Sequence, residues 1–427
     1  MSLLTRTARS ALRQARAFGH SRPAAAAASM TDVPMGPPDA ILGLSDAFNK
    51  DTDARKINLG VGAYRDDDGK PHVLECVRTA EKKLYDDAVN HEYAGIAGVP
   101  EFVPVSLEFA LGKDSAALKE NRVAAVQALS GTGALRVAGD YFAKFLGKGT
   151  PIHVPNPTWG NHIPIFGNAG LDVQKYTYLD AKGTGLDFAG MAEAITALPE
   201  GSLILLHACA HNPTGVDPTK DEWKQIADIF EQKNHLAFFD SAYQGFASGD
   251  ADEDAFAIRH FVDRNIPVAL AQSFSKNFGL YGERVGCLSM VAPTAEEADR
   301  CLSQMKIVVR PMYSNPPIYG ARIVSTILRD DVLSAQFYTE CKGMADRIIS
   351  MRTLLKDNLE HLGSNEDWDH VTKQIGMFCY SGLSTGQVEK MKGDHHIYMT
   401  ADGRISMAGV TSGKVGYLAE SIHNVTK

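Results

Sequence analysis

The residues best suited to chemistry lie in the stretch 273–286, which reads SFSKNFGLYGERVG. Its lysine, Lys276, follows an apolar run that predicts a buried strand. Burial lowers the pKa of a lysine because the charged form loses its solvent, and the neutral amine is then a nucleophile toward an aldehyde. Ser273, Ser275 and Arg284 offer hydroxyl and guanidinium groups that suit a phosphate. A solvated lysine in a glycine-rich loop is the alternative, so other parts of the chain must decide.

A second polar segment, residues 130–134 with the sequence SGTGA, stands between two regular patterns. The apolar run before it predicts a strand and the apolar spacing after it predicts a helix, so a tight turn joins the two. The start of a helix exposes unpaired N–H groups, and the hydroxyls of Ser130 and Thr132 add donors, which together suit a phosphate. A simple helix cap is the alternative role for such a turn.

Two more predicted strands lead to polar side chains. The apolar stretch 201–207 leads to Asn212 in a proline-containing turn, and the stretch 235–240 ends at Asp240, with Tyr243 close behind. In an open α/β sheet, ligands bind at the carboxyl ends of the strands, and a carboxylate there can pair with a protonated ring nitrogen. An aspartate in this position can also serve the fold alone.

Together these blocks resemble the fold-type I pyridoxal phosphate enzymes, and among them the mitochondrial branch of the aspartate aminotransferase family. The similarity covers nearly everything in residues 33–427, and its motifs occur in register. The further motifs that carry it are residues 57–65, 93–96, 155–161, 310–317 and 403–409.

The resemblance implies a catalytic set of Lys276, Asp240 and Tyr93. Lys276 would hold pyridoxal 5'-phosphate as a Schiff base, the internal aldimine, and would carry the proton between substrate and cofactor. Asp240 would pair with the ring nitrogen and keep it protonated. The residues implied to bind the cofactor are Ser130, Gly131, Thr132, Trp159, Asn212, Asp240, Tyr243, Ser273, Lys276 and Arg284, with Tyr93 reaching in from the neighbouring subunit.

The resemblance also implies how the substrate binds. Arg404 would bind the α-carboxylate, and Arg310 the distal carboxylate, across the interface of a homodimer with shared active sites. A planar guanidinium binds a carboxylate through two parallel hydrogen bonds, so two arginines suit a dicarboxylic amino acid. Gly62, Trp159 and Asn212 complete the implied substrate site. The implied reaction is a reversible ping-pong transfer from L-aspartate to 2-oxoglutarate, giving oxaloacetate and L-glutamate through pyridoxamine phosphate.

The alternation of strand-like and helical patterns predicts an α/β fold. We expect a large domain, residues 72–336, with a mostly parallel sheet flanked by helices that binds the cofactor. A smaller α/β domain would combine residues 337–427 with an N-terminal arm, residues 31–71. Its closure would bring Arg404 onto the substrate.

The first thirty residues follow a different pattern. They contain five arginines and no acidic residue, and on a helix most of these arginines share one side while leucine, alanine and phenylalanine occupy the other. This pattern is typical of a transit peptide, with a disordered basic tail as the alternative. The body of the chain favours the mitochondrial matrix over a chloroplast. The cleavage position is left open.

Composition argues against several other classes. The formal net charge is −8 and no basic run interrupts the body of the chain, so we expect no nucleic-acid partner. No apolar stretch is long enough to span a membrane. The six cysteines lack a metal-ligand spacing and predict free thiols. His207 and His211 are four apart, as in some zinc sites, but the sequence between and after them predicts a turn, so we expect no metal.

The sequence also bears on three other functional classes. A nicotinamide oxidoreductase needs a Gly-x-Gly-x-x-Gly turn, and the two Gly-x-Gly segments, at residues 131–136 and 183–188, end in Arg and Phe. A binding protein on the same fold would be expected to lose Lys276 or Asp240. Another pyridoxal phosphate reaction would not need Arg310. Activity on aromatic amino acids or kynurenine is left open. Residues 364–369 and 392–396 match no motif and are assigned to surface loops.

Overall fold

A seven-stranded sheet forms the centre of the molecule. The computed structural model describes Met30, residues 33–36 and residues 40–427. The strands are β2 (Val123–Leu129), β3 (Pro151–Asn156), β4 (Asp172–Thr177), β5 (Leu203–His207), β6 (Leu236–Ser241), β7 (Val268–Ser273) and β8 (Val285–Val291), and their order across the sheet is β2-β8-β7-β6-β5-β3-β4. Only β8 runs antiparallel to its neighbours. The predicted mostly parallel sheet is confirmed.

The central strands are apolar on both faces because helices cover both sides of the sheet. In β5, Leu203 and Leu205 belong to one core, while Ile204 and Leu206 belong to another. Successive side chains of a strand point to opposite faces, so an unbroken apolar run can fill two cores at once. This explains why β5 reads as a continuous apolar stretch rather than an alternating one.

The helices on each face are amphipathic and pack on the sheet through their apolar sides. One face carries the helices Ser130–Phe145, His162–Ala169 and Ala295–Met312, and the other carries Phe188–Ala197, Lys220–Gln232 and Phe256–Asp263. The helix Lys220–Gln232 begins with a capping box between Thr219 and Glu222. Further helices are Ala40–Lys50, Glu75–Asp86, Phe102–Leu111, Ala116–Lys119, Ala251–Asp254 and Tyr319–Arg329.

Segments from the first and the last parts of residues 40–427 meet in a third core. Strand β1 (Ile57–Asn58) pairs in parallel with β10 (Ile397–Tyr398), and β9 (Phe378–Tyr380) pairs with β11 (Arg404–Ser406). The long helix Asp331–His361 packs beside them, with the helices Asp369–Lys373, Thr385–His395 and Val415–Thr426. Residues from Ala40 to Lys427 form one compact unit. The division at residues 71 and 337 stays a prediction.

The assignment of residues 392–396 to a surface loop was wrong. Residues 392–395 are the last turn of the helix Thr385–His395, and His396 ends it in a left-handed conformation. The His396 ring then bonds Asp51, with 2.7 Å between Nδ1 and Oδ2. In residues 364–369, Trp368 is buried and its Nε1 donates to Ser364 Oγ at 2.8 Å. His396 is therefore anchored to a residue distant in sequence, whereas the bond of Trp368 lies within its own segment.

Residues 1–29, which hold nearly all of the proposed transit peptide, lie outside the described residues. Within the described part of the chain, none of the helices has the length and apolar character needed to cross a bilayer.

A substitution of Gly286 tests how closely the backbone of β8 packs against its neighbours. An added Cβ would lie 2.5 Å from the backbone carbon of Ser130 and 2.6 Å from the carbonyl oxygen of Gln272. We expect Gly286→Ala to lower the free energy of unfolding by about 1–3 kcal/mol, because the backbone must move to admit the methyl group. Urea denaturation of the purified protein measures this change.

Gly343 is the matched control, since it is exposed on the helix Asp331–His361 and nothing lies within 4 Å of its added Cβ. We expect Gly343→Ala to raise the free energy of unfolding by about 0.5–1 kcal/mol, because alanine loses less backbone entropy in a helix. Equal effects from the two substitutions would contradict the steric argument.

Candidate active site

One edge of the sheet collects the polar side chains singled out in the sequence. The carboxyl ends of β2, β3, β5, β6 and β7 lie at this edge, together with the amino end of the antiparallel β8. A cavity of about 270 Å³ opens there. Its lining includes Gly62, Ser130, Gly131, Thr132, Trp159, Asn212, Asp240, Tyr243, Ser273, Lys276, Arg284 and Arg404. Residues spread over more than three hundred positions of the chain therefore meet in one place.

Three hydroxyl groups and a guanidinium meet at one end of this cavity. Ser130 Oγ lies 3.0 Å from Ser273 Oγ and 2.8 Å from Ser275 Oγ, and Arg284 Nη1 lies 3.5 Å from Ser275 Oγ. The helix Ser130–Phe145 begins here, so its first N–H groups face the same end. Hydroxyls, a cation and a helix N-terminus together form a site for a phosphate group.

The backbone at this end is held in an uncommon conformation. Ser130 and Arg284 both have positive φ, 59° and 54°, and the Ser130 N–H donates to the Arg284 carbonyl at 3.1 Å. Non-glycine residues adopt positive φ at an energetic cost, and they do so mostly where surrounding contacts over-determine the backbone. The two segments that supply the phosphate donors are thereby fixed to each other.

Lys276 lines the cavity and is only partly exposed. Burial lowers the pKa of Lys276, and the nearby Arg284 lowers it as well, although the negative charge of Asp240 opposes both. The Lys276 Nζ atom lies 5.4 Å from the centre of the Tyr243 ring. The amine of Lys276 is therefore more readily neutral than that of an exposed lysine.

Asp240 keeps its negative charge despite its burial. Burial alone would raise the pKa of Asp240, but the hydrogen bond from His162, with smaller electrostatic contributions from His162, His207 and Lys276, outweighs it, and the net pKa lies below its ordinary value. His162 Nε2 lies 3.1 Å from Asp240 Oδ2. The carboxylate can therefore hold a protonated ring nitrogen in the cavity.

Behind Asp240 runs a chain of hydrogen bonds. His162 Nδ1 lies 2.8 Å from Thr158 Oγ1, which lies 3.4 Å from His207 Nε2, and His207 Nδ1 accepts the Asn212 backbone N–H at 3.3 Å. That last bond requires the proton of a neutral His207 to be on Nε2. Burial lowers the pKa of His207 to about 3, so its ring is neutral. This chain of hydrogen bonds connects Asp240 with the turn that carries Asn212.

Arg404 also lines the cavity. It is 5% exposed, its guanidinium donates to the Gly60 carbonyl at 3.0 Å and to Asn212 Oδ1 at 3.4 Å, and its Nε has no partner among the described residues. The guanidinium carbon lies 4.3 Å from the centre of the Phe378 ring. A buried guanidinium with donors to spare is suited to a carboxylate.

Comparison with known proteins agrees with this geometry. The family model for aminotransferase class I and II matches residues 54–422. The chain belongs to this family. It is 55% identical to a mitochondrial aspartate aminotransferase of Dictyostelium discoideum over 396 residues, which cover 93% of each protein.

Solved aminotransferases share the fold closely. A mitochondrial aspartate aminotransferase from Trypanosoma brucei is 47% identical with a TM-score of 0.88, covering 90% of this chain and 100% of the other. An aromatic-amino-acid aminotransferase from Burkholderia pseudomallei, covalently bound to pyridoxal phosphate, is 40% identical with a TM-score of 0.91, covering 94% of this chain and 100% of the other.

This aminotransferase uses pyridoxal phosphate, and its cavity fits that group. The serine hydroxyls and Arg284 match the phosphate, Asp240 matches the ring nitrogen, and Lys276 matches the aldehyde. Gly62 adds a steric match, because a Cβ there would lie 2.8 Å from Phe378 Cζ and narrow the cavity.

Two predicted residues are not among those that line the cavity. Tyr93 is 85% exposed, and Arg310 is exposed and donates to Ser314 Oγ at 2.6 Å. Both were expected to act from a neighbouring subunit, and their place in a shared site stays a prediction.

Sequence analysis missed several residues of this aminotransferase's cavity. Tyr281 and Phe378 line it, as do Leu135, Cys209 and Ala242. Tyr281 lies within the lysine-containing motif, so its position was a usable signal. Phe378 stands in a short strand with no motif of its own, and nothing in the local pattern marks it. All six cysteines are free, as expected.

We expect Asp240→Asn to lower kcat for amino transfer by about 100- to 1000-fold, because it removes the charge that stabilises a protonated ring nitrogen. The amide keeps the size of the side chain and can still accept from His162. Steady-state kinetics with saturating substrates measures the effect, and Asp240→Glu is the control that retains the charge. An asparagine variant as fast as the wild type would rule out this role for the carboxylate.

Proposed function

We propose that this protein transfers the amino group of L-aspartate to 2-oxoglutarate, giving oxaloacetate and L-glutamate, in a reversible ping-pong cycle. Its relatives named aspartate aminotransferase are 53–55% identical and cover nearly the whole chain. The single observation that carries the proposal is the placement of Arg404, a buried arginine whose Nε has no partner in the described part of the chain, in the same cavity as the Lys276 amine. An amino acid needs both a partner for its carboxylate and a site of reaction for its amine.

Pyridoxal phosphate, when bound, supplies an aldehyde that condenses with amines and a ring that draws electrons from the substrate α-carbon. Lys276 would be the base, since its lowered pKa makes the neutral amine available, and Nζ would remove the α-carbon proton and deliver it to the cofactor carbon that was the aldehyde. Asp240 would hold the ring nitrogen. The serine hydroxyls and Arg284 would hold the phosphate and so keep the cofactor in the cavity that Lys276 lines.

Substrate binding begins at Arg404. Its guanidinium is held by Gly60 and Asn212, which leaves the remaining N–H groups for the α-carboxylate. Arg404 packs on the Phe378 ring, so its plane is fixed before the substrate arrives. A guanidinium held in place loses little entropy on binding, which favours a two-point contact with a carboxylate.

The distal carboxylate would be bound by Arg310 of a second subunit. The exposure of Arg310 and of Tyr93 supports this, because each would gain a partner in a dimer. A homodimer with two shared active sites is the arrangement we propose. Closure of the small domain, residues 31–71 with 337–427, would then complete the contact of Arg404 with the substrate.

The protein is of the mitochondrial type, as are the named relatives from Dictyostelium discoideum and Gallus gallus. We propose that residues 1–30 direct it to the matrix. The similarity to an aromatic-amino-acid aminotransferase favours a second activity, on aromatic amino acids, as a candidate to be measured beside the first.

The visible absorption of the bound cofactor tests the reaction. We expect L-aspartate, added without a keto acid, to abolish the visible band of the holoenzyme because the amino group moves to the cofactor. Lys276→Ala should show no such response on the same time scale. A wild-type band that ignores L-aspartate but responds to L-phenylalanine would favour the aromatic activity instead.

Mixing two inactive variants tests the shared site. Lys276→Ala lacks the base and Arg310→Ala lacks the distal guanidinium, so each homodimer should be nearly inactive. After the two are unfolded and refolded together, half of the dimers are hybrids with one intact site, and activity should return to about a quarter of wild type. No recovery would mean that Arg310 serves its own subunit, and the shared site would be wrong.

A further inference from the structure

Two segments of the chain lie side by side next to the proposed α-carboxylate site. We name residues 59–67 the first wall and residues 404–412 the second wall. The first wall contains Gly62, and the second begins with Arg404, and both of these residues line the cavity. Arg404 in the second wall donates to the Gly60 carbonyl of the first wall at 3.0 Å, so the orientation of its guanidinium depends on the separation of the two walls.

Hydrogen bonds join the walls at intervals along their length. The Ser406 N–H donates to the Leu59 carbonyl at 2.8 Å, and the Arg65 N–H donates to the Ala408 carbonyl at 3.1 Å. At the far end the Ser412 N–H donates to Asp67 Oδ1 at 2.8 Å. These walls are therefore one continuous assembly rather than two independent loops.

Arg347 covers this assembly from the long helix Asp331–His361. Its Nε donates to Tyr64 Oη at 2.8 Å, and its terminal nitrogens donate to the carbonyl of Val410 at 2.9 Å, of Ala408 at 3.1 Å, and of Arg65. Nη1 also lies 3.8 Å from Asp67 Oδ1. The planar fork thus binds both walls at once, and a lysine cannot reproduce it because an ammonium has a different donor geometry.

The contact with Tyr64 extends toward the cofactor end of the cavity. The Arg347 guanidinium carbon lies 4.7 Å from the centre of the Tyr64 ring, and the Tyr64 N–H donates to Tyr281 Oη at 2.9 Å. Tyr281 lines the cavity, and its carbonyl accepts from Arg284 at 2.9 Å. A single buried tyrosine therefore connects Arg347 with both ends of the site.

We infer that Arg347 is a positioning residue for recognition of the substrate α-carboxylate. It does not line the cavity, and it acts by holding the wall with Gly62 against the wall with Arg404. The inference rests on the proposed function, since it assumes that Arg404 binds the α-carboxylate. Small displacements of a binding group have large effects on rate, because a two-point contact requires correct geometry at both points.

Three amines separate positioning from a general loss of structure. L-Aspartate carries both carboxylates, L-alanine carries only the α-carboxylate, and 3-aminopropanoate carries only the distal one. For Arg347→Lys we expect kcat/KM in the half-reaction to fall by about 10- to 100-fold for aspartate and alanine alike. For 3-aminopropanoate we expect no change, and the KM for aspartate should rise. Single-turnover absorbance of the holoenzyme measures all three.

Arg259→Lys is the matched control. Arg259 also donates to two main-chain carbonyls, of Ala110 and Phe109, and pairs with Asp252, but it does not line the cavity. We expect all three amines to react with this variant as with wild type. Tyr64→Phe removes only the Oη acceptor, so it should weaken aspartate and alanine in the same direction by a smaller factor and serves if Arg347→Lys does not fold.

The outcomes distinguish the inference from the function on which it rests. A wild type that does not react with aspartate would overturn the proposed function and with it this inference. If the wild type reacts with aspartate and Arg347→Lys does so equally well, the inference alone is wrong. An equal fall for 3-aminopropanoate would show a general structural role and would also overturn it.

Discussion

The burial of two ionisable groups in one cavity, the amine of Lys276 and the carboxylate of Asp240, is the constraint on which the rest of this structure depends. Each group is costly to bury alone, and each shifts the pKa of the other toward the charged form. The protein limits that cost on the Asp240 side with a hydrogen bond from His162. At Lys276 the effect of burial outweighs the attraction to Asp240, so the pKa of the amine is lowered. One group is thereby kept charged and the other made reactive.

The sheet places the different environments of Asp240 and Lys276 next to each other. Asp240 sits near the end of β6 and Lys276 follows β7, and these strands are hydrogen-bonded neighbours. Apolar cores on both faces hold the strands in register, while the edge remains polar. Chemistry at the edge is positioned by packing in the interior, as in other open α/β sheets.

The sequence was sufficient to predict those parts that depend on local pattern. The strands of the central sheet appear as apolar runs, apart from the largely polar outer strand β4, and the polar residues after β2, β6 and β7 mark the site directly. The resemblance added Arg404 and Gly62, which lie far from the other motifs along the chain. Phe378 and Arg347 could not be predicted this way. Their roles come from contacts with segments distant in sequence, and neither stands in a pattern that distinguishes it from an ordinary core or surface residue.

The antiparallel strand β8 changes how the cofactor is held. Because β8 pairs with β7 as a hairpin, the connection 274–284 both leaves and re-enters the same edge of the sheet. Lys276 stands near its start and Arg284 at its end. The lysine proposed to attach the cofactor and the guanidinium proposed to hold its phosphate thus belong to a single loop. A bound cofactor would therefore link the two ends of this loop and protect the amides of the hairpin from exchange with solvent.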